Sequence, residues 1–206
     1  MIRFRDEDRA RITAAIHAAE RNTSGEFVAV AARQSDHYLF LPLLWAACVA
    51  LLVPGALMLA SVPWSWIHVY QLQLGLFIAL ALLFLSIPSL HLRLIPASVK
   101  QARSSRMAKA QFYIQGVHMT REHSGVLFFV SLAERYVEIV ADQGIHERVG
   151  TERWQTVVDT FVSAMRHGDA TQAFVAAIEA CGKAMSEHYP PRADDANELS
   201  DGLIEI

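Results

Sequence analysis

Residues 37–92 contain no Asp, Glu, Lys or Arg, in a chain of 206 residues. The stretch holds two apolar runs, residues 39–62 and 69–90, joined by the segment Pro63–His68 (PWSWIH). A helix crossing about 30 Å of hydrocarbon needs about 20 apolar residues, so each run is long enough to span. In a soluble fold each run would need burial on every side, and a domain of this size cannot enclose two such helices. The sequence therefore predicts a two-helix transmembrane hairpin. It is not a signal peptide, because it starts far from Met1 and is followed by a second span.

The flanks have a different composition. Residues 1–36 carry six Lys/Arg and six Asp/Glu, and residues 93–206 carry twelve and fifteen. Together they have the size of one compact domain, whereas the first flank alone is too short to build a core. The expected organisation is one soluble domain from residues 1–36 plus 93–206, with 93–97 juxtamembrane and 37–92 as an inserted hairpin.

Orientation follows from cations close to the spans. Pro63–His68 has none, while Arg21 and Arg33 precede the first span and Arg93, Lys100, Arg103, Arg106 and Lys109 follow the second. Both flanks are expected in the cytoplasm of a bacterial inner-membrane protein. The expected partners are the bilayer itself, its anionic headgroups near those five residues, and another membrane protein. A sequence pI of about 6.3 without a strongly basic domain argues against nucleic acid.

Along the soluble part, Asp6–Arg21 reads as a helix with Ile12, Ile16 and Ala19 at helical spacing. Glu26–Ala32 alternates as a strand. Pro96 and Ser98 open a helix that runs to about Gln115, before Gly116. Gly125–Ser131 is a continuous apolar run, suited to a strand buried on both faces. Arg135–Ala141 alternates, and a turn is expected at Asp142-Gln143-Gly144. Thr151–His167 and Asp169–His188 read as amphipathic helices, and an acidic tail follows Pro190-Pro191. A helix between the first two strands favours a parallel crossover, and the third strand should return antiparallel. The expected fold class is α/β: a small mixed sheet flanked by helices, carrying the inserted hairpin.

Thr120–Ile145 spells T-x-x-x-S-G-V-L-F-F-V-S-L-A-E-R-Y-V-E-I-V-A-D-x-G-I. With SGEFVAV (Ser24–Val30), Trp154 and NELSDGLIEI (Asn197–Ile206), it resembles the TPM domain, a family of small α/β domains often labelled phosphatase-like. Some bacterial members are similar in having a pair of spans inserted after the first strand. The resemblance implies a helix-flanked sheet with a shallow acidic cleft, associated in some relatives with calcium or acid phosphatase activity. Other relatives are accessory factors of membrane complexes.

Arg166-His167-Gly168-Asp169 spells the start of a histidine-phosphatase motif but falls at a helix end, where Gly and a cation suit termination. Cys181 lacks the Arg six positions later that a cysteine phosphatase requires, so it reads as a small core residue. His118, Glu122 and His123 are one residue out of step with a zincin spacing and lie in a loop. Glu26, Glu134 and Asp142 stand at strand ends or turns, where carboxylates can converge on a hard cation such as Mg²⁺ or Ca²⁺. Asp142 is the preferred ligand of the three. Two functions stay open: a membrane-anchored accessory or interaction factor, or a divalent-cation-dependent phosphatase-like hydrolase with an acidic cleft.

Overall fold

The computed structural model describes residues 4–87, 92–192 and 197–206. The elements in chain order are α1 (Asp6–Glu20), β1 (Phe27–Ala32), α2 (Phe40–Leu59), α3 (Trp66–Ser86), α4 (Ala97–Ile114), β2 (Val126–Ser131), β3 (Tyr136–Ala141), α5 (Gln143–Val149), α6 (Thr151–Met165), α7 (Ala170–Ser186) and β4 (Ile204–Glu205). The chain divides into two compact units, Met1–Ser35 with Ala102–Ile206, and Asp36–Gln101.

The first unit is built on a four-stranded sheet in the order β3-β2-β1-β4. β1 pairs parallel with β2, Phe27 opposite Val126 and Ala32 opposite Ser131, and parallel with β4 through Val30 and Ala31. β3 returns antiparallel on β2, with Ala141 opposite Val126. The sheet is mixed and helix-covered, as its pattern predicts.

Both central strands are buried on both faces. Residues Phe27, Ala29 and Ala31 with Val126, Phe128 and Val130 face a core shared with Ile12, Ile16, Trp154, Phe161 and Phe174 of α1, α6 and α7. The alternate residues Val28, Val30 and Ala32 with Leu127 and Phe129 meet Ala108 and Phe112 of α4. The period-two alternation of side chains thus serves two cores. The alternation read in Glu26–Ala32 does not mark a wet face, because every residue of β1 is buried. On the first face, Phe128, Phe161 and Phe174 pack edge to face, at centroid separations of 5.2, 5.3 and 5.6 Å.

Two elements are absent from the sequence reading. Asp142 does not end a turn: its side chain accepts a hydrogen bond from the Gln143 N–H and it caps α5. The acidic tail contributes β4, which covers the free edge of β1, with Arg33 N–H donating to the Ile206 carbonyl at 2.7 Å.

The second unit contains α2 and α3, which pack against each other. They have 20 and 21 residues, mean hydropathies of 2.2 and 1.9, and are long and apolar enough to cross a membrane. Only 22% of the apolar window of α2 and 6% of that of α3 is buried. Leu52, Met58, Leu59 and Trp66 are exposed by 69, 84, 89 and 86%. The helices are shorter than the apolar runs: Ala60–Ser65 forms the connection, and residues 88–90 of the second run lie outside the described residues. At the base of this unit, Tyr38, Leu41 and Ile95 form a small core.

Candidate functional site

The parallel pairing of β1 and β2 defines two ends of the sheet. Glu26, Gly125 and Asp142 stand at the amino end of β1, whereas Arg33 and Glu134 stand at its carboxyl end. Six residues of strand span about 20 Å. Glu26 and Asp142 therefore share an end and Glu134 stands at the other, so the three carboxylates proposed from sequence as a metal set (Asp142, Glu26, Glu134) do not meet at one point.

Each is engaged locally. Glu134 accepts the hydroxyl of Ser131 and the N–H of Ser35, the latter at 3.0 Å. Asp142 Oδ1 accepts from Gln143 N–H at 2.6 Å, while Oδ2 lies 3.1 Å from His123 Nδ1. That geometry is an N-cap completed by a histidine. Glu26 is 8% exposed, and its Oε1 accepts from the Glu198 N–H at 3.1 Å. It thereby fixes the C-terminal segment against the amino end of β1.

A polar cleft of about 290 Å³ opens at that end, lined by His17 and Glu20 of α1, by Thr23, Gly25 and Glu26, and by Arg192, Asn197 and Asp201. Ile12 and Ile16 point into the core at 0% exposure, and His17 and Glu20, in the last turn of α1, line the cleft. These two are three apart and neighbours on one helix surface. His17 Nδ1 lies 2.8 Å from Asp201 Oδ2, with the side chains 54 and 13% exposed. Asn197 Nδ2 donates to Asp201 Oδ1 at 2.5 Å and orients that carboxylate.

One ligand atom each from His17, Glu20 and Asp201 lies within 4.8 Å of the others. An imidazole nitrogen with two carboxylates fits a borderline or hard divalent cation such as Zn²⁺ or Mn²⁺ better than a purely oxygen-liganded Ca²⁺.

The floor of the cleft is held by short polar contacts. Thr23 Oγ1 donates to the Tyr189 carbonyl at 2.7 Å and accepts from Gly25 N–H at 3.1 Å. These bonds tie the α1–β1 turn to the end of α7. Gly125 sits beside them because nothing larger fits: a Cβ there would fall 2.2 Å from the Val117 carbonyl oxygen.

The remaining sequence candidates are dispersed. His118 packs against Tyr113 with ring centroids 5.0 Å apart and the rings tilted by 60°, Glu122 pairs with Arg192, and His123 pairs with Asp142. His167 Nδ1 lies 3.0 Å from the Ser163 carbonyl, Gly168 takes φ 86°, and Asp169 caps α7 by accepting from Gln172 N–H. The Arg166–Asp169 segment is a helix-to-helix turn. Cys181 is fully buried, and burial pushes its thiol far above the usual range.

His17, Glu20 and Asp201 escaped the sequence reading because the third member lies more than 180 residues from the first. The available local signal was the pair His17-x-x-Glu20 on a helix whose apolar face was already legible.

A helix-covered mixed sheet, interrupted after its first strand by an apolar hairpin and carrying a polar cleft at one end, defines the class of protein. Residues 90–184 match the family model of the TPM domain. The match takes in α4, β2, β3, α5, α6 and most of α7, and it leaves α1, β1 and β4 outside. The fold is also similar to the NMR structure of BA42 protein from the psychrophilic bacterium Bizionia argentinensis. The TM-score is 0.63 at 19% identity, covering 98% of this chain and 95% of that one. At that identity the likeness is one of fold. No curated protein matches the chain.

Proposed function

We propose that this chain is a membrane-anchored TPM-domain protein that acts as an accessory or interaction factor for another membrane protein. The observation that carries the reading is the pair of apolar helices, spanning length and largely exposed, inserted between strands of one sheet. Hydrocarbon is the solvent that removes the cost of such exposure.

The pairing of β1 with β2 supports both flanks lying on one side of the bilayer, since one strand precedes the hairpin and the other follows it. The cations around the spans and their absence from Pro63–His68 support the cytoplasmic side. A docking role is supported by Tyr113, Ile114 and Met119 of the sheet domain, exposed by 64, 69 and 76%. Three large apolar side chains exposed within seven residues of chain are the candidate contact surface.

The test is to wash membranes bearing the tagged chain with alkaline carbonate and to identify the cross-linked partner. Retention in the pellet is expected, with a partner lost from a Tyr113→Ser/Ile114→Ser variant that is itself retained. Release into the aqueous wash overturns the anchor, and a partner kept by the variant overturns that surface.

The cluster His17, Glu20 and Asp201 favours a second reading, a divalent-cation-dependent phosphatase-like hydrolase. In it the cation polarises a phosphoryl oxygen, with Mg²⁺, Mn²⁺, Zn²⁺ or Ca²⁺ as the ions to test. Metal-dependent turnover of a generic phosphate monoester that is abolished by Asp201→Asn supports this reading. Loss with Asp142→Ala and not Asp201→Asn moves the site to the Asp142 side of the sheet end. No turnover with any of the ions removes it.

A further inference from the structure

A cavity of about 390 Å³ lies in the sheet domain away from the polar cleft, between the carboxyl end of β2, the start of β3 and α6. Its walls are Val130, Leu132, Val137, Phe161, Val162 and Met165. It falls in the size range of small-molecule pockets, about 300–1,000 Å³. Two cations join these apolar walls, Arg135 and Arg166, both exposed and neither in an ion pair among the described residues. Arg135 is held in place by its turn, with φ 53° and its N–H donating to the Leu132 carbonyl. No acidic side chain stands among the described lining residues.

The place of this cavity in the chain matters as much as its chemistry. Ser35, the last residue of the sheet domain before the apolar insert, bonds through its hydroxyl to Ser131 at 2.8 Å and through its N–H to Glu134 at 3.0 Å. Ser131 itself lines the cavity. Only residues 36–39 separate Ser35 from α2 in the chain, a covalent tether of four residues. Arg33, exposed at the same end, adds a third cation.

We infer that this cavity binds an anionic phospholipid of the membrane in which the hairpin sits. The phosphate is held by Arg135 and Arg166, whose planar guanidinium groups suit phosphate oxygens. The proximal acyl segment lies along Phe161, Val162 and Met165. Charge selects against a zwitterionic headgroup, and the apolar walls select against a free phosphate ion. The inference rests on the membrane-anchored reading, because the ligand is drawn from the bilayer that would hold the hairpin.

The test uses the full chain in dodecyl maltoside micelles. Dioctanoyl phosphatidylglycerol, dioctanoyl phosphatidylcholine and inorganic phosphate are titrated separately, with bound ligand read by native mass spectrometry and thermal shift. Phosphatidylglycerol is expected to bind and raise the melting temperature, with no response to the other two over the same range. Arg135→Gln/Arg166→Gln should weaken it by about tenfold or more, the loss expected for two charge-assisted contacts, with the unliganded melting temperature unchanged. Val162→Glu, which places a like charge in the wall, should cause the same loss through a different residue.

Equal binding of phosphatidylcholine, an equal response to phosphate, or undiminished affinity in both variants overturns the proposal. So does loss of binding in Lys100→Gln/Arg106→Gln, on the other side of the hairpin, with retention in the Arg135/Arg166 variant. The carbonate wash separates the two readings. A chain that washes free yet binds phosphatidylglycerol through Arg135 and Arg166 sinks the anchor and keeps the pocket.

Discussion

Three residues set the local behaviour of the sheet domain. Gly125 immediately precedes β2, against the Val117 carbonyl, and an added methyl would lie 2.2 Å from that oxygen and 2.7 Å from Val117 Cγ1. Backbone cannot yield as a side-chain tip can, so Gly125→Ala should destabilise by roughly 1–3 kcal/mol or more, read by thermal unfolding in detergent. Asp142 is a cap with both oxygens engaged. Asp142→Ala should cost about 1 kcal/mol of stability, and a loss several times larger would show a role beyond capping. Asp8 accepts the Arg5 N–H and then the Thr171 hydroxyl, each at 2.9 Å, and these bonds, the Arg5 bond foremost, hold its carboxyl below the ordinary value. A lowered folded pKa means that the contribution is fully present above the unfolded carboxylate value, about 3.9, and disappears as pH falls through the folded one. Asp8→Ala should therefore lower the melting temperature at neutral pH and shrink the difference from the parent chain as the solution is acidified. A constant difference would assign the effect to lost packing.

At the scale of elements, legibility followed period and length. The paired strands and the long helices were readable because their apolar positions repeat over six or more residues, and each observed boundary lies within four residues of the expected one. Residues 204–205 are too few to carry a period, and their strand exists only because β1 leaves an open edge. Helix α5 was hidden by Gly144 and by Asp142, which signal a turn as readily as a helix start; its single buried residue is Ile145. The cleft was legible only in part, since His17 and Glu20 are local neighbours while Asp201 arrives through the tail. The apolar pair was the plainest feature of all, and its solvent is testable. Leu52 stands mid-helix in α2 and is 69% exposed. Leu52→Arg should cost about 3 kcal/mol of insertion and shift the chain toward the carbonate-soluble fraction, whereas an unchanged partition would deny hydrocarbon around that face.

At the scale of the whole molecule, one sheet draws strands from both sides of the insert. Reporter fusions before α1 and after β4 should accordingly give the same topological signal, cytoplasmic for both. Opposite signals would contradict the pairing of Phe27–Ala32 with Val126–Ser131. The whole-chain averages, 53% hydrophobic residues with a mean hydropathy of +0.25, hide this division because they blend a charged domain with a charge-free insert.

The central place of β1 also sets a schedule for biogenesis. Its two parallel neighbours begin at Val126 and at Ile204. At about 5–20 residues per second, a ribosome needs on the order of 5–20 s to travel from Phe27 to Val126. Throughout that interval FVAVAA is an apolar, unpaired strand, while both apolar helices emerge well before its first mate. If the hairpin is membrane-anchored as proposed, delivery to the translocon comes ahead of closure of the sheet, and a nascent chain that misses the membrane is left with two sticky segments at once.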